Sequence, residues 1–154
     1  MNKLNYPTWL VPLDIAKELK EIGFDEPCLF VYHEVFDEEM IFISFEGDDY
    51  CYYYAELSIC SQRTNSEMGK DNLKVGKNYS YACSLPTWEQ ALAWFRARGY
   101  YGNLEATSKG TSAYIFTPKL DFGECWEFAY EKHYEKARET LLLKLIDLYK
   151  VANQ

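Results

Sequence analysis

Apolar and polar positions alternate with two different periods along this chain, and the switches between them divide it into elements. Ile15, Ala16, Leu19 and Ile22 recur at helical spacing, so a first helix is expected from Pro12 to Ile22, with Pro12 tolerated in the first turn and Gly23 as its stop. The period then drops to two. Cys28 to Phe36 carries Leu29, Val31, His33 and Val35 on one side and Phe30, Tyr32, Glu34 and Phe36 on the other. Apolar residues on both sides predict a central strand. Met40 to Glu46 and Tyr50 to Cys60 read as two further strands, with Asp37-Glu38-Glu39 and Gly47-Asp48-Asp49 as the turns between them. Residues 61–78 are polar and read as a long loop, and Tyr79 to Leu85 as a short strand.

The helical period returns at Thr87. Pro86 and Thr87 open the segment, Gln90 completes a capping box, Trp88, Ala91, Leu92 and Phe95 share a face, and Gly99 ends it. Three more strands are expected at Tyr100–Thr107, Ser112–Pro118 and Glu124–Ala129, with Ser108-Lys109-Gly110-Thr111 as the first turn and Leu120-Asp121-Phe122-Gly123 as the second connection. From Lys132 to Val151, Tyr134, Ala137, Leu141, Leu145 and Leu148 repeat at steps of three and four and predict a long amphipathic helix. The two inner helices echo one another. Setting Gly23 on Gly99 places Leu19 on Phe95, Lys20 on Arg96 and Phe24 on Tyr100. The expected fold is α+β: mainly antiparallel sheet with helices packed on it, as one domain built from two α-β-β-β halves.

The charge divides along the same line. The formal net charge of the 154-residue chain is −8. Residues 1–86 hold 7 Lys/Arg against 15 Asp/Glu, and residues 87–154 hold 9 of each. An acidic half repels phosphate polymers and anionic membranes, and suits a basic protein partner. Five cysteines, at 28, 51, 60, 83 and 125, form no CxxC and match no zinc spacing. They read as small hydrophobes of a reducing cytosol. The N-terminus lacks an apolar core of signal-peptide length and no segment reaches the length of a membrane span, so a soluble cytoplasmic protein is expected.

Two segments resemble a known group of proteins. Lys20-Glu21-Ile22-Gly23-Phe24-Asp25-Glu26-Pro27-Cys28 is one, and Thr87-Trp88-Glu89-Gln90-Ala91-Leu92-Ala93-Trp94-Phe95-Arg96 with the later Tyr134-Glu135-Lys136-Ala137-Arg138 is the other. Both are similar to patterns in small uncharacterised proteins of phages, prophages and mobile elements of gut Bacteroides. The resemblance covers roughly residues 9–35 and 84–150, departs at Tyr50–Asn78, and implies a cytoplasmic accessory protein without implying an activity. Residues 87–151 also resemble, in their α-β-β-β-α layout, a double-stranded-RNA-binding domain. That family docks RNA partly through lysines at the start of its last helix. Here that start, Glu131-Lys132-His133-Tyr134-Glu135-Lys136, is mixed in charge.

Each candidate chemistry meets a plainer explanation. As hairpin turns, the acidic clusters around Glu38-Glu39 and Asp48-Asp49 lie at opposite ends of one strand, roughly 20 Å apart, and cannot share an ion. Solvated turn carboxylates are the favoured explanation. The chain has two histidines. His33 and Glu34 point to opposite sides of a strand, and a hydrogen-bonded structural histidine is the simpler reading. A Cys–His pair would need Cys51, Cys60, Cys83 or Cys125 beside His33 or His133, with no local motif to select one. No nucleophile elbow, phosphate loop or dinucleotide fingerprint occurs. The Tyr50-Tyr52-Tyr54 stripe is a binding platform if exposed, and core or a homodimer interface if covered.

These readings favour a non-enzymatic binding protein with no catalytic residue, metal or cofactor. Its expected contact surface is Glu38, Glu39, Asp48 and Asp49 with Tyr50, Tyr52 and Tyr54, and its expected partner is a basic protein rather than nucleic acid or membrane. The alternatives are a small hydrolase or nucleotide-binding protein using His33 or His133 with nearby carboxylates, and an RNA-binding domain.

Overall fold

A computed structural model of the chain describes residues 6–35, 38–43, 64–66, 79–118 and 126–153. It is an α+β fold that separates into two compact units, residues 1–88 and 89–154. That boundary falls two residues after the point where the charge balance changes.

The first unit begins with a segment tied to its own far end. Leu10 bridges Thr87, the Val11 amide donates to the Pro86 carbonyl at 2.9 Å, and the Trp88 indole donates to the Thr8 carbonyl at 3.0 Å. Helix α1 (Leu13–Glu21) follows, with Pro12 at its N-cap and Asp14 and Lys20 placed favourably for the helix dipole. Its buried face is Ile15, Ala16 and Leu19, which packs against strand β3 (Tyr79–Leu85). Lys20 Nζ reaches the Ala82 carbonyl at 2.6 Å. Strand β1 (Phe30–Val35) lies between β2 (Glu38–Ile43) and β3, antiparallel to both. Consecutive residues Val31 and Tyr32 are both buried, as the two-sided apolar pattern of a central strand requires.

The second unit begins at Glu89, the second residue of helix α2 (Trp88–Ala97), and continues with a three-stranded meander of β4 (Tyr101–Ala106), β5 (Thr111–Phe116) and β6 (Trp126–Glu131), and helix α3 (Tyr134–Ala152). Helix α3 crosses all three strands. Gly102 permits its close approach, since a Cβ there would stand 3.0 Å from Leu145 Cδ1 and 3.1 Å from both Leu141 methyls. Trp94, Phe95 and Tyr100 gather around Tyr149 with ring centroids 5.0, 6.1 and 5.7 Å from it.

The echo between the inner helices has a local cause. Gly23 and Gly99 both adopt left-handed φ, 91° and 84°. In the first stop Phe24 N–H donates to the Leu19 carbonyl at 2.9 Å and Gly23 N–H to the Lys20 carbonyl at 3.1 Å. In the second, Tyr100 N–H donates to the Phe95 carbonyl and Gly99 N–H to the Arg96 carbonyl, each at 3.0 Å. These are two Schellman motifs, and the echoed residues are those that build them, including the apolar pairs Leu19–Phe24 and Phe95–Tyr100. Beyond the stops the described strands pair differently. The first strand is central in unit 1, and the middle strand is central in unit 2.

Several local expectations are corrected. Glu38 and Glu39 belong to β2 rather than to a turn, because Val35 pairs with Glu38 and Glu34 with Glu39, leaving two residues to connect the strands. Thr111 is a strand residue. The turn before it is closed by Thr107 N–H donating to the Gly110 carbonyl at 2.8 Å, with Thr107 Oγ1 accepting from the Lys109 and Gly110 amides at 3.2 and 3.3 Å. Tyr134 is exposed at the first turn of α3, beside the Arg138 guanidinium, and the buried stripe is Ala137, Leu141, Leu142, Leu145 and Ile146. A sheet three strands wide takes a broader apolar face than one seam. In α2, Trp94 is buried and Leu92 only half-buried.

Asn65 is the least expected core residue. Read as part of a polar loop, it is 7% exposed. Its amide donates to the Phe24 carbonyl at 2.7 Å, its oxygen accepts from Ser84 N–H at 2.9 Å, and the adjacent Ser66 N–H donates to Asp25 Oδ1 at 2.7 Å. One side chain thus joins the end of the α1 stop to the edge of β3. The Asn65→Ala variant strands a buried donor and acceptor, and should lose about 2–3 kcal/mol in urea unfolding. Gly102→Ala should lose about 1 kcal/mol or more by overpacking α3 on β4, and Gly102→Val more than that, in the same measurement.

Candidate functional site

The positions expected to form the contact surface are only partly placed. Asp48, Asp49, Tyr50, Tyr52 and Tyr54 lie outside the described residues, as do the strand read at Tyr50–Cys60 and most of the 61–78 loop. Glu38 and Glu39 stand at the start of β2, and Glu39 is the register partner of Glu34. Among the described residues no group of three His, Cys, Asp or Glu side chains is arranged to hold a metal. No described helix is long and apolar enough to cross a membrane.

Of the cysteine and histidine candidates, Cys51, Cys60 and Cys125 lie outside the described residues. Cys83 is fully buried in β3 opposite Tyr32, one register position from the His33–Ala82 pair. His133 is exposed ahead of α3, and its side chain makes no capping hydrogen bond. Cys28 is also buried, its thiol donating to the Glu26 carbonyl at 3.5 Å, and loss of solvent pushes the thiol up to about 12. Such a thiol is protonated at neutral pH and is a poor nucleophile.

Strand alternation in unit 2 produces a surface that sequence reading passed over. Gly102, Ala113 and Ile115 belong to the face under α3. The opposite face carries, strand by strand, Tyr101, Asn103 and Glu105, then Ser112, Tyr114 and Phe116, then Glu127 and Tyr130. Register aligns them in rows: Tyr101 with Phe116, Asn103 with Tyr114 and Glu127, Glu105 with Ser112 and Tyr130. A register shift after Ala113 takes up Phe128 as the extra β6 residue, and Glu127 and Tyr130 thereby share this face although they are three apart. Period-two counting along β6 could not show this.

The margins of this face are exposed, and Ser112, Tyr114 and Phe116 along its central strand are half-buried. Tyr101 is 45% exposed and Tyr130 57% exposed. Tyr101 and Phe116 have ring centroids 5.8 Å apart. The Tyr114 hydroxyl donates to Glu105 Oε2 at 3.0 Å, and that acceptor carboxylate holds the phenol above its ordinary pKa. The Tyr130 ring tip lies over Gly110, where a Cβ would stand 2.5 Å from its Cζ and 2.8 Å from the Glu131 carbonyl oxygen. Four aromatic rings and two carboxylates therefore share a surface with no Lys or Arg at its eight positions.

Comparison with family models, with curated proteins and with solved structures returns no match. Unit 2 does contain the α-β-β-β-α order read from the sequence. The start of its last helix nevertheless exposes Glu135 alongside Lys132 and Lys136.

Iodoacetamide at pH 8 should leave Cys28 and Cys83 unmodified in the native protein and alkylate both in denaturant, as mapped by peptide mass spectrometry. Rapid native labelling of either would contradict their burial.

Proposed function

We propose that this chain is a non-enzymatic accessory protein of phage or prophage type, acting in the host cytoplasm by binding a basic protein. The observation that carries the reading is the open face of the β4–β5–β6 sheet, where Tyr101, Tyr114, Phe116 and Tyr130 stand beside Glu105 and Glu127 without a cation. Aromatic side chains supply contact area at low entropic cost, and carboxylates beside them select a cationic partner over an anionic one. Residues 1–86 add the whole −8 of net charge, which steers a basic partner toward the protein and phosphate polymers away. The phage and prophage setting rests on the residue patterns at 9–35 and 84–150. Glu38, Glu39, Asp48 and Asp49 are a second acidic region of the same reading.

Tagged full-length protein should capture a stoichiometric basic protein from host lysate, unaffected by nuclease. The Glu105→Lys/Glu127→Lys variant should weaken capture at least tenfold, and charge reversal at Glu38, Glu39, Asp48 and Asp49 should slow association. A thermal-shift screen with nucleotides and divalent metals should show no stabilisation. A shift there would favour the hydrolase or nucleotide-binding alternative by mass action. Salt-sensitive retention of RNA would favour the RNA-binding one.

A further inference from the structure

We infer that the centre of the open sheet face, the Tyr114 ring between Glu105 and Glu127, is a seat for the guanidinium of an arginine side chain carried by an extended peptide segment. This rests on the protein-binding reading and specifies the chemistry that the site takes.

Tyr114 stands on the central strand of the sheet, with Asn103 on one side and Glu127 on the other. Neighbouring strands lie about 4.8 Å apart, which puts Glu127 one strand spacing from the ring. Glu105 is fixed at the phenol tip by the 3.0 Å hydrogen bond from Tyr114. That bond anchors the ring along the strand and keeps the Glu105 carboxylate at its end. A planar cation laid on the ring is attracted by the π-face and can donate to the carboxylates at its edges. Arginine meets both demands at once, because its guanidinium is flat and its donors form a fork. An ammonium is compact, more strongly hydrated, and stacks poorly.

The surroundings fit a peptide rather than an isolated cation. The Tyr101–Phe116 pair forms an apolar shelf at one end of the face, and Tyr130 stands at the other. Rows on one face of a strand are separated by roughly 7 Å, the spacing of alternate side chains in an extended peptide. An arginine at the centre therefore places its second neighbours over the shelf and over Tyr130. Phosphate-bearing ligands are disfavoured by the two carboxylates and by the absence of Lys and Arg from the eight face positions.

The test titrates the full chain with three nine-residue peptides of alternating glycine and a variable residue, which is arginine, lysine or citrulline. Fluorescence anisotropy gives the affinities, and amide chemical shifts of the unmodified protein give the site. The arginine peptide should bind at least fivefold more tightly than the lysine peptide and at least tenfold more tightly than the citrulline one. Its largest shifts should fall at Asn103, Tyr114 and Glu127. Glu127→Gln and Tyr114→Leu should each weaken it about fivefold or more, while Glu21→Gln on α1 leaves it unchanged. Equal affinity for arginine and lysine would overturn the guanidinium seat and leave the basic-partner reading intact. Shifts confined to unit 1, or no binding by any peptide, would also overturn it, whereas the basic-partner reading stands or falls separately on the lysate capture. A dimer in light scattering that Glu127→Gln dissociates would overturn the external peptide in favour of a second copy of this chain.

Discussion

Both units depend on a helix that stops at a left-handed glycine. A Schellman stop requires φ near +60 to +90°, which Gly23 and Gly99 adopt without the Cβ clash that other residues meet. Each stop sends its next residue inward, Phe24 in one unit and Tyr100 in the other, both fully buried. Further structure is built on those two residues. The Phe24 carbonyl receives the Asn65 amide, whose oxygen in turn holds the edge of β3. Tyr100 joins the aromatic group around Tyr149 and leads directly into β4, where Gly102 admits α3 to the sheet.

In unit 2 the two sheet faces are complementary products of one alternation. Gly102, Ala113 and Ile115 are small or branched and accept the Leu141 and Leu145 side chains of a long helix. The intervening positions carry aromatic rings and carboxylates, with Tyr101, Glu105, Glu127 and Tyr130 exposed and Tyr114 and Phe116 half-buried. Packing α3 on one face satisfies the core of this unit.

The distribution of charge bears on function in a different way. Net acidity belongs to unit 1, while the open face of unit 2 is acidic locally within a unit whose charges balance. A net charge acts over about a Debye length, whereas a pair of carboxylates on one sheet face acts at contact distance. Among the described residues Cys28 and Cys83 are buried and His133 is on the surface.

Local physics alone determined much of this. The helical period, the two glycine stops, the two-sided apolar pattern of β1, and the α+β order are short-range properties. They are written in neighbouring residues because backbone hydrogen bonds and Cβ sterics act over a few positions. The four-residue echo at Gly23 and Gly99 was legible for that reason, as was the residue range of β3. Tertiary structure decided the rest. The bounds of the Glu38-Glu39 segment followed from the register with β1, and the stripe of α3 widened to meet three strands. Asn65 became a core residue because Phe24 and Ser84, distant in sequence, each needed a hydrogen-bond partner beside it. The open face was hidden for the same reason. Its members come from three strands, and Glu127 and Tyr130 share a side only through a register shift that exists when β6 pairs with β5. A site assembled across strands is defined by pairing, and pairing is a property of the folded chain.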